Sequence, residues 1–78
     1  MSDQVMNEIE DHVPALRRHA YRLTSSMDRA QDLVQDTLLK AISKKDQFEE
    51  GTSLKAWLHR ILFNTFISGK RREKTRGH

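Results

Sequence analysis

Cysteine is absent, proline occurs once, glycine three times, and the 78 residues include one Trp, one Tyr and three Phe. Without cysteine there is no disulfide framework and no thiolate metal site, which fits a reducing, cytoplasmic setting. No apolar run exceeds three residues, as at Ala56–Trp57–Leu58, against the roughly 20 that a membrane span requires. The start, Met1-Ser-Asp-Gln, is polar and acidic, where a secretion signal is basic and then apolar. Scarce Pro and Gly beside 32% charged residues point to helices joined by short turns. A chain of this size makes one domain with a thin core, burying about 60% of its unfolded surface. It has no room for a large catalytic cleft between two lobes.

The net charge of +3 conceals an asymmetry. Residues 1–52 hold seven Lys/Arg and ten Asp/Glu, a net of −3, whereas residues 53–78 hold seven Lys/Arg and only Glu73, a net of +6. Five of those last seven cations fall in the final nine residues. An acidic first part and a basic end imply two partners of different character. The plainer reading is a solvated helix end, where cations suit the carbonyl pole.

Three helical patterns follow one another. Ile9, Val13, Leu16, Ala20, Leu23 and Met27 recur at helical spacing and predict one apolar stripe. Pro14 fits the first turn if Asp11 caps that helix, with Ile9 in a preceding turn or kinked extension. The second helix starts at Ser25-Ser-Met-Asp28, a capping pattern in which Ser25 accepts from backbone N–H groups. Its inward stripe reads Met27, Ala30, Val34, Leu38, Ala41 and Ile42, flanked by Leu33 and Thr37. The opposite face carries Asp32, Gln35 and Asp36 with Leu39 among them, a small apolar anchor with an acidic rim.

Residues 44–52 interrupt the pattern, with Phe48 stranded in a polar loop as a plug for the bundle or the frame of a pocket. Gly51 allows a backbone turn that other residues resist, and Thr52 or Ser53 caps the next helix. That helix is expected from about Ser53 to Arg72, with Leu54, Trp57, Leu58, Ile61, Leu62 and Thr65 inward. Lys55, His59, Arg60, Asn64, Lys70 and Arg71 share the remaining surface, and Gly69 is expected to fray the end.

Catalytic and metal chemistry are not expected, nor is a cofactor. His12, His19, His59 and His78 form no i,i+4 pair, and His12 and His19 read as solvated. There is no Gly-rich phosphate loop. Ser25 and Ser26 have no neighbouring base and serve better as caps.

Three segments, Asp32-Leu-Val-Gln-Asp-Thr-Leu-Leu-Lys-Ala41, Phe48-Glu-Glu-Gly-Thr-Ser-Leu-Lys-Ala-Trp57-Leu and Ile61-Leu-Phe-Asn-Thr-Phe-Ile67, closely resemble region 2 of bacterial extracytoplasmic-function (ECF) sigma factors. The resemblance covers roughly Val13–Arg72. Val13-Pro-Ala-Leu-Arg-Arg-His-Ala-Tyr-Arg-Leu-Thr24 is similar to region 2.1, the Asp32–Ala41 helix to region 2.2, the Phe48 loop to region 2.3, and Trp57 to Arg72 to region 2.4. It implies an all-α domain, a compact three-helix bundle with a short extra N-terminal helical turn. Residues 1–10 are then a flexible or helical extension, 11–72 the region 2 body, and 73–78 the basic start of an interdomain linker.

The resemblance also implies function. Asp32, Gln35, Asp36 and Leu39 are expected to dock on the β′ clamp helices of core RNA polymerase. Phe48, Thr52 and Ser53 would shape a pocket for a flipped base of the promoter minus-ten element, on the non-template strand. Lys55, Arg60 and Asn64 would contact that strand, Asn64 with both a donor and an acceptor for a base edge. Lys70, Arg71 and Arg72 would hold phosphates without reading sequence. An anti-sigma factor is a further expected partner, and the domain itself is expected to be monomeric. Region 4, which reads the minus-thirty-five element in this group, has no counterpart after Arg72, so the expectation is a piece of a longer sigma factor or, as the less favoured alternative, a natural short chain working without that anchor. The alternatives are a sigma-like mimic that binds an anti-sigma factor without touching DNA, and a general helical interaction module.

Overall fold

The computed structural model describes residues 2–76, with side-chain surroundings for residues 7–70. Four α-helices follow in order: α1 (Ser2–Asp11), α2 (Val13–Thr24), α3 (Met27–Ser43) and α4 (Leu54–Arg76), with a 3-10 turn at Lys45–Gln47. Helices α2, α3 and α4 make the expected bundle, and the extra N-terminal turn is a helix of 10 residues that packs on α2 and α4. No helix among the described residues is long and apolar enough to cross a membrane.

Proline divides the first stripe into two helices. Pro14 lacks the N–H that would bond back one turn, and its ring crowds the carbonyl four residues earlier. The chain therefore ends α1 at Asp11 and restarts at Val13, with His12 as N-cap and no side-chain cap bond. The expected Asp11 cap is corrected accordingly. The next junction is also shifted by one residue. Ser25 is not the cap of α3; it sits in the left-handed region at φ 55°, its N–H bonded to the Tyr21 carbonyl. Ser26 is the N-cap, its Oγ accepting from the Arg29 N–H at 3.3 Å.

The core gathers Ile9 of α1, Leu16 and Ala20 of α2, Ala30, Leu33, Val34 and Ala41 of α3, and Leu54, Leu58 and Leu62 of α4. Each fully buried leucine (Leu16, Leu58, Leu62) contributes about 1.5–3 kcal/mol by leaving water. On α3 the inward stripe is rotated from the expected one. Leu33 and Thr37 lie at its centre, while Met27 is 75% exposed and Ile42 lies at the surface. Thr37 is tolerated inside because its hydroxyl donates to the Leu33 carbonyl at 2.7 Å, and Thr65 does the same to Ile61. Helix α4 continues without a break through Gly69 to Arg76, so the expected fraying at that glycine is also corrected.

Candidate functional site

Two surfaces hold the residues singled out in the sequence. On α3, Asp32, Gln35, Asp36 and Leu39 are all exposed, Leu39 by 67%. At 3.6 residues per turn they fall within about 100° of arc, opposite the buried Ala30, Val34, Thr37 and Ala41. The burial of one side dictates the exposure of the other. The result is an aliphatic knob among two carboxylates and an amide.

The loop before α4 is built by its own polar groups. After the 3-10 turn, Phe48 folds inward against the core and meets the half-buried Trp57, ring centroids 5.2 Å apart and tilted by 51°. Of its two sequence readings, the structure selects the plug. Gly51 at φ +93° reverses the chain. The Thr52 hydroxyl donates to the Glu49 carbonyl at 2.6 Å, and Ser53 Oγ accepts from the Ala56 N–H at 3.2 Å. Ser53, rather than Thr52, therefore caps α4. Thr52, Ser53 and the two glutamates between Phe48 and Gly51 remain exposed.

Along α4, Lys55, Arg60, Asn64 and Lys70 are exposed, but they do not form one line. Arg60 and Asn64 lie one turn apart on one stripe, whereas Lys55 is about 140° from Arg60, at the other edge of the exposed arc. Between the edges stands Phe63, 46% exposed. Lys70 lies over the Phe66 ring at 5.2 Å from its centre, a cation–π contact. Arg71 and Arg72 lie outside the residues whose side chains are described.

The two surfaces meet. A cleft of about 530 Å³ between α2, α3 and α4 is lined by Asp32 and Asp36 together with Arg29, Gly69 and Lys70, over Leu23, Leu33 and Phe66. Acidic and basic groups, read from the sequence as belonging to separate sides, thus share one cleft. Arg29 is not marked by its local pattern, and Gly69 is marked only as a point of fraying, because nothing in either pattern shows which helices come together.

The histidines are also rearranged. His19 is not solvated. It is half-buried and its Nδ1 lies 2.8 Å from Nδ1 of His59, the rings stacked at 5.0 Å. Burial first, and then the neighbouring His19, Lys55 and His12, push the imidazole of His59 below its ordinary 6.5. Among the described residues no group of three or more His, Cys, Asp or Glu is placed to hold a metal ion.

Comparison with known proteins places this architecture. Residues 9–76 match the family model of sigma-70 region 2. The chain is 43% identical over 74 residues to the ECF RNA polymerase sigma factor EcfG of Rhodopseudomonas palustris (strain TIE-1), covering 95% of this chain and 41% of that one. It is 40% identical over 78 residues to the ECF sigma factor SigG of Mycobacterium tuberculosis (strain CDC 1551 / Oshkosh), covering 91% of this chain and 21% of that one. The solved structure of the sigma factor RpoE in complex with the anti-sigma factor NepR, from Bartonella quintana, superposes with a TM-score of 0.85. It shares 49% sequence identity over 92% of this chain and 46% of RpoE. The chain therefore spans less than half the length of these relatives. With the matched model covering nearly the whole bundle, and a solved relative of the same fold, this chain belongs to the bacterial ECF sigma factors and is their region 2 domain.

Proposed function

We propose that this domain joins core RNA polymerase through α3 and the melted minus-ten element of a promoter through α4 and the loop before it. The observation that carries the reading is the exposed Leu39 among Asp32, Gln35 and Asp36, on a helix whose other side is fully committed to the core. Leu39 fills the centre of the contact with the β′ clamp helices, and the carboxylates attract cations of the clamp, giving on-rate and register more than affinity.

On the DNA side, Arg60 and Asn64 sit one turn apart, suited to a backbone phosphate and a base edge respectively. Phe63 next to them offers a ring on which an unpaired base stacks. The pre-shaped loop of Phe48, Thr52 and Ser53 forms the rim for a flipped base, with Phe48 supporting it from beneath by packing on Trp57. Lys55 and Lys70 add phosphate contacts at the margins, and Arg71 and Arg72 extend them. An anti-sigma partner is supported by the NepR-bound state of the related RpoE. The mixed-charge cleft beside the α3 face offers such a partner a seat that overlaps Asp32 and Asp36. The mimic reading lacks comparable support, because a decoy has no use for Asn64 and the cations of α4.

The test is capture of the domain by a β′ clamp-helix fragment, with and without single-stranded minus-ten DNA. Capture should be lost, by about tenfold or more, on Leu39→Asp while helical content and unfolding stay unchanged. DNA should bind the same variant as before, and more weakly as salt rises. Capture retained by Leu39→Asp removes α3 from the interface. Absent or salt-insensitive DNA binding removes the promoter role and favours the mimic.

A further inference from the structure

His19 and His59 come from different helices, α2 and α4, and nothing in the polymerase or promoter roles uses them together. Their Nδ1 atoms are 2.8 Å apart and their rings stack at 24° between planes. At that distance one ring donates a proton and the other must accept it with a bare nitrogen. Nε2 of His59 is buried and has no hydrogen-bond partner. A second proton on His59 is therefore badly placed. If His59 is the acceptor, a proton on Nδ1 meets the one that His19 donates, and if it is the donor, a proton on Nε2 is buried with nothing to receive it.

We propose that the His19–His59 pair is a proton-operated latch between α2 and α4, closed while the two rings share one Nδ1 proton and opened when each ring carries its own. Two protonated rings present donor to donor and positive charge to positive charge, so the short contact cannot persist. The surroundings reinforce this. A charge on His59 is disfavoured by His19 and His12, on α2 and at its start, and by Lys55 one turn earlier on α4. Among the described residues no carboxylate of α1 or α3 offsets them. Helix α2 meets α4 over a smaller contact than it meets α3, so a single released pair matters there.

The direction with pH follows from linkage. The imidazole of His59 is held below its unfolded value, so the unfolded chain takes up more protons as the solution is acidified. The latch contributes its full stability above 6.5 and loses it as pH falls below that value. Acidification also adds a cation beside Lys55, at one edge of α4's outward arc. That last consequence rests on the promoter reading; the latch itself does not.

The experiment is a nitrogen–proton correlation titration of the histidine rings in the 78-residue chain, with thermal unfolding over the same range. At about pH 8, one Nδ1 of the pair should read as protonated and its partner as bare. The pair should then titrate in two separated steps. Below 6.5 the unfolding equilibrium constant should rise, by up to about tenfold per pH unit. His59→Phe keeps the ring and removes its protons, and should flatten that slope. Two ordinary single-step titrations, or a His59→Phe chain with the original slope, overturn the latch. Should His59→Phe fail to fold, His19→Phe carries the slope measurement, and the ring titration of the unaltered chain decides by itself.

Discussion

Helices α3 and α4 carry the two outward faces and are anchored in different ways. α3 is held along most of its length, with Ala30, Leu33, Val34, Thr37 and Ala41 buried beneath the exposed Asp32, Gln35, Asp36 and Leu39. Among its described side chains α4 is rooted through Leu54, Leu58, Leu62 and Thr65, with Phe66 packed against the core, and Ser68–Lys70 are exposed. Its 23 residues make a rod of about 34 Å, longer than the 22 Å middle dimension of the molecule. A surface that must fit another protein needs its side chains at fixed spacing, and a continuous core supplies it. Phosphate contacts need less, since attraction between charges tolerates small changes of angle and distance. On the proposed roles, the helix seated along most of its length suits docking, and the more exposed one suits a charged strand.

The largest effect should come from breaking the root of α4. Leu62→Ala removes a fully buried side chain and should cost about 2–5 kcal/mol in urea unfolding followed by helical signal. Because α3 and α4 share one core, the proposed clamp-binding and DNA-binding faces should weaken together. A variant that loses one and keeps the other would show that the faces are supported independently.

A smaller effect sharpens the contrast at the far end. A Cβ added at Gly69 meets nothing within 4 Å, so Gly69→Ala should raise stability by about 0.5–1 kcal/mol by restricting the unfolded chain. Thermal unfolding checks this, and a loss of stability would mean that α4 around Gly69 is more constrained than its exposure indicates. The smallest effect on stability belongs to Lys70→Ala, within about 0.5 kcal/mol. Its signature is electrostatic: the salt slope of single-stranded minus-ten DNA binding should fall by about 0.7. An unchanged slope takes Lys70 off the DNA path.

Much of this was legible from local pattern. The all-helical bundle follows from apolar residues at spacings of three and four. The surface position of Leu39 follows from its phase relative to Ala30, Val34 and Ala41. The errors have common physical causes. Thr37 reads as flanking the stripe, yet a hydroxyl that bonds the carbonyl one turn back is quiet enough to lie at its centre, as the correctly expected Thr65 also shows. Met27 reads as core, but as the first residue of α3 it projects past the helices that would cover it. Ser25 and Ser26 compete for the cap, and the left-handed closure of α2 consumes the first.

The order and spacing of residues alone determined that there are helices, that a break falls near the proline, which face of α3 is polar, and how charge is shared between the halves of the chain. These are matters of period and composition, settled within a few turns. Only the tertiary structure decided that Asp32 and Asp36 share a cleft with Lys70, that Phe48 rests on Trp57, and that His19 meets His59 across 40 residues. Such meetings depend on how helices cross and rotate against one another. That is chosen by the packing of the whole core, which no single segment contains.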